Sequence, residues 1–184
     1  MFELIQKNKI ILLVGMMGCG KTSLGKILSK KLNIPFVDSD KEIERASGCS
    51  ISDLFATYGE KEFRLGEERI MERLLTTKKE CVLSSGGGAF LSKKTQKISK
   101  EHAISIWIRA DVDLLSHRTE GRTHRPLVPS LDNKKAIQRL VEECYPLYQN
   151  ADFVLDTRQE PIGKTISRLL SLLEENNVIR SIKK

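Results

Sequence analysis

Residues 15–22 read Gly15-Met16-Met17-Gly18-Cys19-Gly20-Lys21-Thr22 and match the pattern GxxxxGK followed by Ser or Thr. The residues just before them, 10–14, are all apolar, as expected of a strand buried on both faces, and the residues after them are typical of a helix. The glycines let successive backbone N–H groups point at phosphate oxygens, and the N-terminus of the next helix adds partial positive charge. The sequence therefore predicts a phosphate-binding loop after the first buried strand.

The polar residues of this loop have defined expected partners. Lys21 would bridge the β- and γ-phosphates of a nucleotide, and the Thr22 hydroxyl would bind Mg²⁺. Cys19 is expected to be an inert filler of the loop. The alternative is a glycine-rich turn with a solvated lysine, which does not account for the strand before the loop and the helix after it.

The rest of the chain alternates short apolar runs with longer amphipathic segments. This alternation predicts a parallel sheet covered by helices on both faces. Strands are predicted at residues 10–14, 35–37, 81–84, 104–108 and 153–155. Helices are predicted at residues 21–32, 60–75, 112–117, 134–148 and 162–173. No repeat or low-complexity linker divides the sequence, so we expect a single domain over residues 1–184.

Residues 118–133 interrupt the alternation. Their sequence, RTEGRTHRPLVPSLDN, has no apolar period but contains three arginines, two prolines and a glycine. A loop of this length in a compact domain is usually functional, so we expect a lid over the site. The planar guanidinium groups of Arg118, Arg122 and Arg125 suit phosphate recognition, and an arginine that arrives late can stabilise transferring charge.

Two acidic residues follow the second predicted strand. Side chains at i and i+2 of a strand point the same way, so Asp38 and Asp40 would face one side. They lie at the carboxyl end of a parallel strand, where open α/β sheets bind ligands. The pair could share a metal, bind a polyol or take up a proton. The alternative is structural, with Asp40 as the N-cap of a helix.

The third predicted strand ends in Ser84-Ser85-Gly86-Gly87-Gly88. Three consecutive glycines are costly in backbone entropy unless a ligand must approach the backbone closely. The alternative is a flexible turn, which would need fewer glycines. Ser84 or Ser85 could order water around Mg²⁺. Arg64, taken alone, is expected to form a surface pair with Glu60 four residues earlier.

Composition narrows the class of protein. The 184 residues are 40% apolar and 30% charged, which argues against a disordered or fibrous chain. The apolar run near the N-terminus is too short for a membrane span or a secretory leader. Four cysteines occur singly without a CxxC pair, so we expect no zinc site or disulfide framework, and a reducing cytoplasm.

The charge balance is +7, from 31 Lys and Arg against 24 Asp and Glu. A basic chain could bind nucleic acid, an anionic membrane or small polyanions. Nucleic-acid binders usually interleave basic residues with aromatics, which here make up only 5% of the chain. We therefore expect small anionic ligands, and we expect the basic tail at residues 180–184 to be a solvated end.

Taken together, these residues resemble bacterial shikimate kinases over about residues 8–175. The features that carry the resemblance are the loop at 15–22, Asp38–Asp40, Phe63-Arg64, Gly86–Gly88, Arg125-Pro126, and Asp156-Thr157 followed by Arg158. The resemblance implies an α/β P-loop kinase of three layers, with a five-stranded parallel sheet, substrate-binding helices at about 41–76 and a mobile lid at about 118–133.

The resemblance also implies the reaction. Such an enzyme transfers the γ-phosphoryl group of ATP to the 3-hydroxyl of shikimate, giving shikimate 3-phosphate and ADP in the biosynthesis of chorismate and aromatic amino acids. The implied substrates are ATP and shikimate with Mg²⁺, and we expect a cytoplasmic monomer that binds neither nucleic acid nor membrane. The implied catalytic residues are Lys21, Asp40 and Arg125, and the implied metal-binding residues are Thr22 and Asp38. The implied nucleotide-binding residues are Gly15, Gly18, Cys19, Gly20, Lys21, Thr22, Ser23, Arg118, Arg125 and Arg158. The implied acceptor-binding residues are Asp40, Phe63, Arg64, Gly86, Gly87 and Gly88.

The chain departs from this family at one position. The family has Arg-x-Pro-Leu-Tyr on the helix after the lid, where the arginine grips the substrate carboxylate, whereas this chain has Cys144-Tyr145-Pro146-Leu147-Tyr148. Three other functions remain open from the residues: a gluconate-type kinase, a nucleoside monophosphate kinase and a catalytically silent nucleotide-binding module. A monophosphate kinase needs several convergent arginines for its acceptor, and only Arg64 is well placed in that half of the chain.

Overall fold

A computed structural model describes residues 2–120 and 133–182. Its strands are β1 (Phe2–Leu4), β2 (Ile10–Val14), β3 (Phe36–Asp38), β4 (Val82–Ser84), β5 (Ala103–Arg109), β6 (Phe153–Asp156) and β7 (Ile179–Ser181). Its helices are α1 (Lys21–Leu32), α2 (Ser39–Ser47), α3 (Ile51–Thr77), α4 (Lys93–His102), α5 (Val112–Thr119), α6 (Asn133–Tyr148) and α7 (Ile162–Glu175).

Five strands form one parallel sheet in the order β3-β4-β2-β5-β6. Strand β2 lies in the middle, and all five of its residues are inaccessible to solvent. Because both of its faces are covered, its sequence is a continuous apolar run rather than an alternating one. The predicted five-stranded parallel sheet flanked by helices is therefore confirmed.

The order of the strands determines which of the loops after them are neighbours. Strand β2 pairs with β4 on one side and β5 on the other, so the loops after β2 and β4 lie next to each other. Strand β3 pairs with β4, with Asp38 opposite Ser84. The glycine loop after β2, the acidic residues after β3 and the triple glycine after β4 therefore meet at the carboxyl ends of three neighbouring strands.

Several boundaries differ from the sequence-based prediction. The helix predicted at 60–75 begins at Ile51 and contains a break at Gly59, where φ is 76° and ψ is 170°. Helix α4 was not predicted, and α2 was expected only as part of the substrate-binding helices at about 41–76 that the resemblance implies. The basic tail is also not a simple solvated end, because β7 pairs antiparallel with β1 and Arg180 forms an ion pair with Glu3.

Of the predicted lid, residues 121–132 lie outside the described residues, and Arg122 and Arg125 are among them. The residues that flank this gap end α5 and begin α6. No helix in the described part of the chain is long and apolar enough to cross a membrane.

Candidate active site

Two cavities open at the carboxyl ends of the parallel strands. The first cavity, of about 400 Å³, is lined by the loop after β2, by residues after β3 and β4, and by the segment after β6. The second cavity, of about 660 Å³, is lined mainly by α2, α3, the triple glycine and one face of α6. Three residues line both cavities: Met17, Asp40 and Gly87.

The loop after β2 begins with a glycine that no other residue could replace without strain. Gly15 has a φ of +137°, and a Cβ there would lie 2.5 Å from the Ile108 carbonyl oxygen. Lys21, the first residue of α1, folds back over the loop, and its Nζ donates to the carbonyls of Gly15 at 2.7 Å and Met16 at 2.9 Å. Its ammonium group therefore lies inside the curl of the loop, next to the buried Cys19 Sγ at 3.7 Å.

Three oxygen-bearing side chains converge beside this loop. Thr22 Oγ1 donates to Asp38 Oδ2 at 3.3 Å and lies 3.5 Å from Ser84 Oγ. Hydroxyl and carboxylate oxygens are the donor types that Mg²⁺ prefers in proteins. The residues predicted to hold a metal are thus brought together on the wall of the first cavity, and their chemistry fits Mg²⁺.

The structure corrects the prediction that Asp38 and Asp40 share one face of a strand. Asp38 ends β3, and helix α2 begins at the next residue, so Asp40 lies in the first turn of a helix. The alternative with Asp40 as N-cap is also wrong, because Asp38 is the N-cap and accepts from the Asp40 backbone N–H at 3.1 Å. Both carboxylates nevertheless line the first cavity, and only Asp40 also lines the second.

One wall of the first cavity is formed by α5 and by the segment after β6. Arg118 Nη1 lies 3.4 Å from the carbonyls of Gly18 and Cys19, and its Nη2 donates to the Arg158 carbonyl at 3.3 Å. Thr157, rather than the exposed side chain of Arg158, lines the cavity. The contribution of Arg158 in this structure is its backbone carbonyl. Glu160, Ile162 and Thr165 complete this wall and were not predicted.

The second cavity has an aromatic and a charged side. Phe63 stacks on Phe55 with 4.3 Å between ring centroids, and Arg64 lies 5.4 Å from the Phe63 centroid. Arg64 pairs with Glu60, as predicted, at 3.3 Å. It also pairs at 2.7 Å with Glu67, a buried residue that sequence reasoning missed although its i+3 spacing from Arg64 was readable.

Burial and neighbouring charge shift the pKa values of this pair. Burial raises the pKa of the Glu67 carboxyl, and the charges of Asp40 and Glu60 add to that effect although Arg64 opposes it. For Arg64, burial lowers the pKa, but the charges and hydrogen bonds of Glu67 and Glu60 outweigh it and raise the pKa overall. Arg64 is therefore a fixed cation held between two carboxylates at the cavity wall.

The triple glycine is explained in part by the protein's own side chains. A Cβ at Gly86 would lie 2.6 Å from Asp40 Oδ1 and 2.7 Å from Glu67 Oε1, and one at Gly88 would lie 2.0 Å from Arg64 Nη1. Two of the three glycines therefore make room for charged residues, in addition to any ligand. At Gly87 a Cβ would meet only ordinary contacts with the phosphate loop.

The remaining wall of the second cavity comes from α6, which contributes Leu140, Glu143 and Cys144. Cys144, at the position where the resembled family has its arginine, is buried. Burial raises the pKa of its thiol, and Glu143 adds to this while Arg64 opposes it. The Cys144 side chain therefore presents no charge to the cavity.

The arrangement suits one kind of chemistry. A phosphate held by the loop and Lys21 in the first cavity would lie beside Asp40, which also faces the second cavity. An acceptor in the second cavity would meet Asp40 on one side and Arg64 on the other. Such a site can transfer a phosphoryl group to the hydroxyl of a small anionic acceptor by positioning and charge neutralisation.

The comparisons agree with this chemistry. The family model described as shikimate kinase matches residues 17–174. The chain is 45% identical over 163 residues to a shikimate kinase of Paramagnetospirillum magneticum, covering 89% of this chain and 83% of the relative. It is 42% identical over 169 residues to a shikimate kinase of Caulobacter vibrioides, covering 92% of this chain and 84% of the relative.

Among solved structures, the chain is similar to shikimate kinase from Acinetobacter baumannii in complex with shikimate. The TM-score is 0.86 and the identity 32%, over 91% of this chain and 94% of that one. A gluconokinase from Sinorhizobium meliloti is also similar, with a TM-score of 0.54 and 15% identity over 92% of this chain and 97% of that one. At that identity the second likeness reflects the shared fold alone.

Proposed function

We propose a role for each wall of the two cavities from one premise: the chain belongs to the shikimate kinase family. It is an ATP-dependent enzyme that phosphorylates a hydroxyl of shikimate. In our proposal the first cavity holds ATP, the second holds shikimate, and the 3-hydroxyl is the acceptor. The observation that carries this assignment is the position of Asp40 in the walls of both cavities.

On the donor side, the loop N–H groups and Lys21 neutralise the phosphates. Lys21 exchanges its bonds to the Gly15 and Met16 carbonyls for phosphate oxygens when nucleotide enters. The guanidinium of Arg118, 3.4 Å from two loop carbonyls, lies where it can stack on the base. Gly18, Cys19, Gly20 and Ser23 line the same cavity and complete the nucleotide-binding set.

Thr22 and Asp38 hold Mg²⁺ in this proposal, Thr22 directly and Asp38 through water. Their 3.3 Å contact and the nearby Ser84 hydroxyl support it. The ion supplies neutralisation of the charge on the β- and γ-phosphates. The protein's own part is to keep the hydroxyl and the carboxylate on the same side of the phosphate loop.

On the acceptor side, Asp40 holds the 3-hydroxyl in line and accepts its proton. Arg64 pairs with the substrate carboxylate, and Phe63 supports the ring face. The backbone of Gly86–Gly88 forms the floor. The contacts of Arg64 with Glu60 and Glu67 fix the guanidinium in place, so that it loses little freedom when the substrate binds. Arg125 lies outside the described residues, and its place in the catalytic set rests on the family resemblance alone.

We further propose that the chain works as a monomeric single domain in the cytoplasm, without nucleic acid or membrane. Four free cysteines and the use of ATP support a reducing compartment. The gluconate-type and monophosphate-type alternatives are not favoured, because relatives at 42–45% identity are shikimate kinases. A silent module is not favoured either, since Lys21, Asp38 and Asp40 are all in place around the first cavity.

A coupled assay of ADP release tests the proposal across shikimate, gluconate and nucleoside monophosphates. We expect turnover with shikimate and less than about one hundredth of that rate with the others. Mass spectrometry and NMR of the product should show a single phosphate on the 3-hydroxyl. Turnover that is equal or greater with gluconate or a nucleoside monophosphate would refute the assignment of the second cavity.

The magnesium site has its own prediction. Removing the Thr22 hydroxyl deletes a direct ligand, so Thr22→Ala should raise the Mg²⁺ concentration needed for half-maximal activity at least tenfold. Thr22→Ser keeps a hydroxyl and is the matched control, with a Mg²⁺ requirement close to that of the unaltered enzyme. Titration of initial rates with Mg²⁺ at fixed ATP measures both. An unchanged Mg²⁺ requirement in Thr22→Ala would remove Thr22 from the site.

A further inference from the structure

The tyrosine at the end of α6 contacts the triple glycine from the buried interior. Tyr148 is completely buried, and its hydroxyl donates a hydrogen bond to the Gly87 carbonyl. It lines neither of the two cavities. Burial raises the pKa of this phenol well above its ordinary value, so the hydroxyl keeps its proton, and with it the hydrogen bond to Gly87.

The bond acts on the peptide between Gly87 and Gly88. In a planar trans peptide the C=O of one residue and the N–H of the next point in opposite directions. Since the Gly87 C=O points to the buried Tyr148, the Gly88 N–H points to the other side of the loop. Gly87 and Gly88 both line the second cavity, and Gly87 also lines the first. Within the described residues, neither the Gly87 N–H nor the Gly88 N–H has a backbone hydrogen-bond partner.

We propose that Tyr148 is a positioning residue for the acceptor: through the Gly87 carbonyl it aims the Gly88 N–H into the second cavity, where that donor orients the acceptor. This inference rests on the proposed function, which assigns the acceptor to that cavity. Nothing in the mechanism above requires Tyr148 itself to touch substrate. The peptide group between Gly87 and Gly88 has no flanking side chain to restrict its rotation. A hydrogen bond from another part of the protein is therefore needed to keep this peptide group in one orientation.

The chain offers a matched control. Tyr145 lies on the same helix, its hydroxyl also donates to a backbone carbonyl, that of Ala110, and its ring also packs on Trp107. Tyr145 lines neither cavity. Tyr148→Phe and Tyr145→Phe thus remove the same kind of bond from the same aromatic cluster, and only the first releases the loop.

We expect Tyr148→Phe to lower kcat/KM for shikimate about five- to tenfold while KM for ATP stays within twofold. Tyr145→Phe should leave both within twofold. Circular dichroism and thermal melts would establish that each variant is folded at the assay temperature. If Tyr148→Phe behaves as Tyr145→Phe does, or if it impairs ATP and shikimate parameters equally, the residue is structural and the proposal is wrong.

A second measurement does not depend on the variant folding. In the ¹⁵N-labelled unaltered protein, the Gly88 amide resonance should shift strongly when shikimate is added, whereas the Ala110 region should not respond. A Gly88 amide that is insensitive to shikimate would overturn the proposal. Turnover of shikimate by the unaltered protein tests the proposed function without reference to Tyr148, so a failure of the Tyr148 proposal can be told apart from a failure of the proposed function.

Discussion

Lys21 occupies the curl of its own loop through hydrogen bonds to two carbonyls, at 2.7 and 2.9 Å. The ammonium group is therefore largely buried before any phosphate enters. Since a carbonyl carries only a partial charge, a phosphate oxygen is a stronger partner and displaces it. In the proposed function the same side chain then neutralises the charge that develops during phosphoryl transfer.

Replacing this lysine should separate folding from catalysis. Lys21→Ala removes the charge that faces the transferring phosphate, so we expect kcat to fall by about 10²-fold or more. The fold should persist, because the strand and helix that frame the loop do not depend on the ammonium group. Lys26→Ala, an exposed lysine on the same helix, is the control and should keep kcat within about twofold. Steady-state rates and circular dichroism measure both, and near-normal turnover of Lys21→Ala would contradict phosphoryl transfer at this loop.

At the scale of elements, helix α3 is two helices joined at Gly59. The break puts Phe55, before it, against Phe63, after it, and this stacked pair forms the aromatic side of the second cavity. A straight helix would carry the first segment away from that position. The shape of the second cavity therefore depends on one residue with a φ of 76° and a ψ of 170°, a combination open essentially to glycine alone.

Two glycines of α3 give opposite predictions for the same substitution. A Cβ would meet nothing within 4 Å at either Gly59 or Gly66, so crowding is not a factor. Gly59→Ala strains the backbone and should lower the free energy of unfolding by about 1–3 kcal/mol. Gly66→Ala, at a helical position, should raise it by about 0.5–1 kcal/mol. Urea unfolding measures both, and a loss at Gly66 or a gain at Gly59 would contradict this account of the kink.

Sequence reasoning found the elements whose own residues carry a strong pattern. The apolar run of β2, the glycine loop and the apolar face of α7 are local signals, and each was placed within two residues at either end. Helix α4 was missed because Lys93–His102 is almost entirely polar and has a single apolar residue, Ile98. Strands β1 and β7 were missed because each has three residues, and what stabilises them is a partner almost 180 positions away.

The residues of the site also differ in whether the sequence alone could predict them. Lys21, Thr22, Asp38 and Asp40 were predicted because they belong to short patterns, whereas Arg64 was assigned to the site only through the family resemblance. The structure brings all five around two adjoining cavities. Tyr148 and Ser39 could not be predicted, since their bonds to the triple-glycine loop come from segments at least 47 positions distant. The geometry of Asp38 and Asp40 was mistaken because the helix begins at Ser39, two residues earlier than an N-cap at Asp40 would place it.

At the scale of the whole molecule, the small β1–β7 sheet joins the two ends of the described chain without contributing a residue to either cavity. Ile179 is 1% exposed and is packed in the core. Ile179→Ala should therefore lower the free energy of unfolding by about 2–4 kcal/mol with kcat unchanged. Ile182→Ala, 40% exposed, is the control and should change it by less than about 0.5 kcal/mol. Chemical unfolding measures the free energy change in both variants, and initial rates measure kcat. A loss of kcat in folded Ile179→Ala would link this sheet to the site.

The distribution of charge over the molecule is uneven in a way that concerns the acceptor. The chain carries a net charge of +7, yet the described wall of the second cavity has five carboxylates and one guanidinium, that of Arg64. Shikimate carries a carboxylate, so in the proposed function this described wall offers it a single opposite charge. Arg139, the arginine of α6, is exposed and does not line the cavity. A cation added opposite Arg64 should therefore improve binding of the substrate.

Cys144 is the position at which to add it, because it faces this cavity and is neutral. A charge-assisted hydrogen bond contributes about 1.5–3 kcal/mol, which corresponds to a roughly tenfold to hundredfold change in affinity. The carboxylate does not react, so the gain is the same in the ground and transition states and belongs to KM. We expect Cys144→Arg to lower KM for shikimate at least several-fold with kcat little changed. Cys144→Met fills similar space without charge and should not lower KM, so initial-rate kinetics of both variants isolate the charge. A KM that is unchanged or higher in Cys144→Arg would contradict the idea that the site lacks a cation at this position.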